Sequence, residues 1–144
     1  MALENTTIKL VELEFKEEIE NANLILNHFG YWPSFHDSEI ISLKFERNLE
    51  EGKPTVEMKV YAFEMTDKVV NRYFKRFKHC IIDFKFVDLQ KSEMDGFNHQ
   101  NAVDGLNFEK DGDNLICEIN AAYGVDGLLS AKTIQVVKLE PVEK

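Results

Sequence analysis

Two cysteines, Cys80 and Cys117, are all the thiols in the sequence, and no CxxC pair occurs. A zinc knuckle and a thioredoxin-type motif are thereby excluded, and the two thiols are expected to be buried and free. No stretch approaches the roughly 18–20 consecutive apolar residues that a membrane-spanning helix needs. Met1 to Lys9 has neither a basic n-region nor an apolar h-region, so a cytoplasmic location is expected. Proline and glycine are sparse, at three and seven residues, and never cluster into a linker. No internal repeat or low-complexity tract interrupts the chain, and residues 1–144 are expected to form a single domain. Positive charge is short as well: 17 Lys and Arg face 26 Asp and Glu, for a net charge of −9 and a pI near 4.9. Nonspecific binding to nucleic acid or to an anionic membrane requires a basic face. Neither is expected as a partner, whereas a basic protein surface would be attracted.

The composition is that of a folded protein. Hydrophobic residues make up 44% and aromatics 11%, including eleven Phe. A chain of this length buries roughly 68–70% of its unfolded surface, enough to fold without a metal or disulfide. Charge is uneven along it. Residues 1–60 carry twelve acids against six bases, whereas residues 68–85 hold Lys68, Arg72, Lys75, Arg76, Lys78 and Lys85 against Asp83. That basic segment is expected to be a solvated face of a helix or loop.

Residues 16–29 have the spacing of a helix, with Ile19, Ala22, Leu24, Ile25, Leu26 and Phe29 on one side. Lys16, Glu17, Glu18 and Glu20 open it, and Gly30 is placed to end it. The run Ile8, Leu10, Leu13, Phe15 before it fits either a strand or an early helical turn. From Ser38 onward the period becomes two. Ile41, Leu43 and Phe45 alternate with polar residues, then Val56, Met58, Val60 and Ala62 after a turn at Glu50–Pro54. Further strands are expected over 79–90 and 128–139. Residues 102–110 and 114–122 are expected to form a hairpin across Asp111-Gly112. Residues 67–78 fit a helix or a structured loop. Short turns make the strands antiparallel, and the expected fold is α+β and mainly β. One N-terminal helix packs on or caps an antiparallel sheet of about six strands.

The densest feature runs from Phe29 to Asp37. It holds four of the sixteen aromatics, the single Trp and an adjacent His-Asp pair. Rings in a short connector fix its path by burying large areas, so a structural corner is expected, with Trp32 and Phe35 inside and Tyr31 near the surface. Trp and Tyr are also favoured at interface hot spots. His36 and Asp37 invite a metal-dependent hydrolase reading. Against it, His28, His79 and His99 are singly placed, and no HxH, HExxH or HxxxH spacing occurs. In an extended strand the two side chains would point to opposite faces. The expected roles are a satisfied buried imidazole for His36 and a backbone hydrogen bond from Asp37 or Ser38 at the strand entry. Neither GxSxG nor a P-loop is present, and no catalytic, metal or cofactor residue is assigned. Gly96-Phe97-Asn98-His99-Gln100-Asn101 reads as a turn stapled by Phe97 and side-chain amides. Residues 121–127 read as a bend made possible by two glycines, with Tyr123 a core-edge plug or a contact.

The order Phe29-Gly30-Tyr31-Trp32-Pro33-Ser34-Phe35-His36-Asp37-Ser38-Glu39-Ile40, then Phe97-Asn98-His99-Gln100-Asn101 and a late Tyr123-Gly124, resembles the bacterial immunity protein 50 family. Its members carry a similar FGYWPxFHDxE entry to the first strand. The resemblance covers most of the chain after about residue 20. It implies a mostly-β protein of a polymorphic toxin system that neutralises a cognate toxin by binding it, with no cofactor. Tyr31, Trp32, Phe35, His36, Asp37, Glu39, Asn98, Gln100, Asn101 and Tyr123 are the candidate motif or partner-binding residues. A small hydrolase using His36 and Asp37, and a structural module that self-associates as a homodimer, remain the alternatives.

Overall fold

The computed structural model describes residues 18–70 and 72–143. The expected run Ile8–Phe15 and the opening Lys16-Glu17 lie outside the described residues. Among the described residues, six strands follow one short helix, α1 (Asn23–Phe29): β1 (Glu39–Glu46), β2 (Thr55–Val70), β3 (Tyr73–Asp95), β4 (Val103–Asp111), β5 (Asn114–Ala121) and β6 (Asp126–Pro141). They form one antiparallel sheet in the order β1-β2-β3-β6-β5-β4. The expected mainly-β fold and strand number are therefore observed.

Period-two alternation gives the sheet one apolar face. Val56, Met58, Val60 and Ala62 of β2 are buried, as are Cys80, Ile82, Phe84 and Phe86 of β3. Leu106 and Phe108 of β4, Leu115, Cys117 and Ile119 of β5, and Leu129, Ile134 and Val136 of β6 complete that face. Across the opposite face charges alternate, as in the Lys59–Asp83 pair at 3.9 Å. A straight strand of 23 residues, the length of β3, would span about 75 Å. Instead β3 bends, with register shifts at Asp83/Phe84 and Leu89/Lys91 against β6 and left-handed residues at Lys78 and Asp88.

The helix is shorter than its apolar pattern suggests. Gly30 ends it as expected, in a left-handed conformation with its N–H donating to Leu26 O at 2.7 Å. Within the described part of the expected helix, residues 19–22 break it, because Glu20 leaves helical bonding. Its N–H donates to Ile134 O at 2.9 Å, and its carbonyl accepts from Val136 N at 2.8 Å, a parallel bridge to β6. Asn21 takes a positive φ of 60° beside it, a conformation Asn tolerates. Ile19, Ala22, Ile25 and Phe29 still reach the core.

Residues 67–70 and 73–78 are strand, neither helix nor loop. β2 and β3 continue as a two-stranded ribbon in which Val69 pairs with Phe74 and Val70 with Tyr73. The basic segment thus lies on strands. Lys78 of this ribbon reaches Glu64 at 3.2 Å and donates to Phe29 O at 2.9 Å, while the Arg76 guanidinium lies 4.6 Å from the Phe63 ring centroid.

Candidate functional site

The sheet curls until its two edge strands meet at one place. Asp37 N–H donates to Val103 O and Val103 N–H donates to Ser38 O, both at 2.9 Å. Ile40 N–H donates to Asn101 O at 3.0 Å, and Glu39 bridges Ala102. This short seam is built from the first two of the three segments that stood out in the sequence. The third, Ala122–Val125, joins through Ala122 and Tyr123, whose N–H groups donate to Ala102 O at 2.9 and 3.0 Å. The three segments, far apart in the chain, form one end of the fold.

The connector entering the seam is a packed corner. Phe35 is buried with a positive φ of 66°. Its ring lies 6.1–6.3 Å from those of Trp32, Phe84 and Phe108. Trp32, partly buried, meets Phe108 edge-on at 5.4 Å. Tyr31 is at the surface, its hydroxyl donating to Glu64 Oε1 at 3.0 Å. Loss of solvent and the neighbouring Glu64 carboxylate push its phenol up to about 12.

His36 and Asp37 correct two expectations. His36 is exposed, not buried, and its Nδ1 lies 3.0 Å from Asp104 O, which it donates to. The pair is in a turn, with Asp37 at a φ of 64°, so the side chains converge to 3.6 Å where an extended strand would separate them. The strand entry is held by the backbone N–H groups of Asp37 and Ser38, and the Ser38 hydroxyl has no hydrogen-bond partner among the described residues. Among those residues no group of three His, Cys, Asp or Glu could hold a metal ion.

Asn101, rather than Phe97, staples the second block. Its buried Oδ1 accepts from Asn98 N at 3.0 Å and Val125 N at 3.2 Å, and its Nδ2 donates to Asn98 O at 2.8 Å. Asn98 Oδ1 accepts from Gln100 N at 3.0 Å. Gly124 packs against this turn so closely that a Cβ would lie 2.2 Å from Gln100 O. Phe97 is 51% exposed and Tyr123 65% exposed, so Tyr123 is a surface residue and not a plug.

Beyond Ile40 the seam opens. A groove of about 310 Å³ runs between the end of β1 and the far end of β3, lined by Leu43, Phe45, Met94, Asp95, Phe97 and Val125. Leu43 and Phe45 stand opposite Met58 and Val56 on the core side of the sheet, yet Phe45 remains 49% exposed because β1 is an edge. Residues 43, 45, 94 and 95 were not among the sequence candidates; their only signal was a strand pattern ending in an aromatic. Elsewhere, on β4 and β5, Glu118 hydrogen-bonds Glu109 and raises its carboxyl above the ordinary range.

A family model described as Immunity protein 50 matches residues 21–142. No curated protein and no solved structure matches the chain.

Proposed function

We infer, from the premise that this chain belongs to the immunity protein 50 family, that it neutralises a cognate bacterial toxin by stoichiometric binding. The family match over residues 21–142 carries this reading. The protein acts as one domain in the cytoplasm of the cell that makes the toxin, without a cofactor and without chemistry of its own. Its contribution is a stable, pre-shaped surface. Binding to such a surface loses little conformational entropy, because the seam is locked by backbone hydrogen bonds before the partner arrives.

Charge supports the kind of partner. A net charge of −9 favours a toxin with a basic face and speeds its capture. Two places bring acids together: Glu109 hydrogen-bonded to Glu118 on the β4–β5 hairpin, and Asp95 opposite Asp126 in the β3–β6 ladder, neither of the latter ion-paired among the described residues. Like charges directly opposite in a ladder, as Asp95 and Asp126 are, are destabilising, and a cationic partner would relieve that repulsion.

The test is co-expression with the toxin domain encoded beside this gene. The expected outcome is survival of the host and a 1:1 complex by size exclusion. Failure of both with every neighbouring toxin domain would remove the reading.

A further inference from the structure

We propose that the open part of the seam is the docking site, and that it takes an extended segment of the toxin as an added strand beside β1. This rests on the immunity reading above and assigns its surface. The backbone edge of β1 is occupied at its start, where Ile40 and Glu39 bond the Asn101–Ala102 segment. From Ile41 to Glu46 no strand lies beside that edge among the described residues. A free edge is a template for another chain, and this one continues a ladder already begun by 101–102. The arriving strand therefore has a defined entry point and register.

The groove beside that edge supplies the specificity. Its volume is at the bottom of the roughly 300–1,000 Å³ range of ligand pockets and it is open along one side. That shape suits one apolar side chain of a passing strand better than an enclosed small molecule. Phe45 and Phe97, each about half exposed, form its lips, with Leu43, Met94 and Val125 between them. Aromatic lips around a partly buried apolar floor are a composition that a partner can desolvate into an interface hot spot. Asp95 stands on the wall, exposed, opposite Asp126, and neither has an ion pair among the described residues. The segment that fits presents an apolar side chain to the groove and a Lys or Arg beside it. A second copy of this chain fits worse, because it would bring the same acids against one another.

The toxin domain encoded beside this gene is the probe, titrated against the wild type, Phe45→Ala, Asp95→Lys and Asp113→Lys. Asp113, exposed at the β4–β5 turn, is the control that changes net charge by the same amount as Asp95→Lys. Expected is a loss of at least about tenfold in affinity for each groove variant and less than about threefold for the control. Hydrogen exchange of the β1 amides should slow in the complex. All sites are exposed, and melting temperature checks that each variant is folded. Unchanged affinity in both groove variants, or unchanged β1 exchange, would overturn the assignment while leaving the immunity reading intact. A wild-type protein that neither binds nor protects would remove both. A homodimer that Phe45→Ala dissolves would give the groove to a second copy and overturn the proposal.

Discussion

The hydroxyl of Ser38 is fully buried and finds no hydrogen-bond partner among the described residues, although the backbone around it is fully engaged. Its N–H donates to Phe35 O at 3.0 Å and its carbonyl accepts from Val103 N. An unpaired buried hydroxyl costs on the order of 1–3 kcal/mol, so the sequence signal at this position was misleading. A serine at a strand entry usually caps the backbone with its side chain; here left-handed Phe35 and Asp37 turn the chain so that the backbone bonds close without it. Ser38→Ala removes the unpaired group and keeps every backbone bond. It should raise stability by about 1 kcal/mol, read as a higher denaturant midpoint at unchanged slope. The contrast with Asn101 is instructive. That side chain makes two hydrogen bonds within its own turn and one to Val125 of the next bend, and its role was visible in advance only as a preference for turns.

Strands were easier to read than the places where they meet. The alternation Ile41-Leu43-Phe45 and Val56-Met58-Val60-Ala62 depends on neighbours two residues away, and both segments are strands, but a bulge between Ile40 and Ser42 puts Ile40 in the core and leaves Ile41 45% exposed, against the expected pattern. Over 67–78 the same rule fails. Val69, Val70, Tyr73, Phe74 and Phe77 have helical spacing, and a short apolar run does not distinguish the two periods. What decides is the pairing of Val69 with Phe74 and Val70 with Tyr73, a contact that no periodicity within either segment encodes. The truncated helix has a similar cause, since Glu20 is drawn out of it by Gln135, more than a hundred residues away. The candidate site was legible as three unrelated segments, and their convergence is a property of the curled sheet. The groove was not legible at all, because Phe45 is exposed only through the edge position of β1. Gly124 tests how tightly those segments are locked. Its φ is 85°, and a Cβ would meet Gln100 O at 2.2 Å and Asn101 Oδ1 at 2.5 Å. Gln100 O is backbone, and Asn101 Oδ1 is a side-chain atom held in place by the N–H groups of Asn98 and Val125, so neither can swing away. Gly124→Ala should destabilise the protein by about 2–4 kcal/mol, from left-handed strain plus overpacking, measured as a fall in melting temperature.

For the molecule as a whole, two buried thiols and the partly desolvated Tyr31 make stability respond to alkali. Burial pushes the Cys80 thiol from its ordinary 9.0 up to about 12, and burial raises the Cys117 thiol as well. Tyr31 moves the same way, from 10.0 to about 12, through desolvation and Glu64. In each case the neutral form is favoured in the folded state. Between pH 9 and about 12 the unfolded chain releases these protons while the folded chain retains them. The unfolded state then binds fewer protons, so stability is complete below pH 9 and falls as pH rises through that window. Two readouts separate this from general alkaline damage. Thiolate absorbance should appear together with unfolding, and not near pH 9 as for a free cysteine. In Tyr31→Phe the decline between pH 10 and 12 should be shallower than in the wild type. Thiolate absorbance at pH 9–10 in protein that is still folded would mean that the core around Cys80 and Cys117 opens to solvent. The closed apolar face that holds the seam in place for a partner would then need a different account.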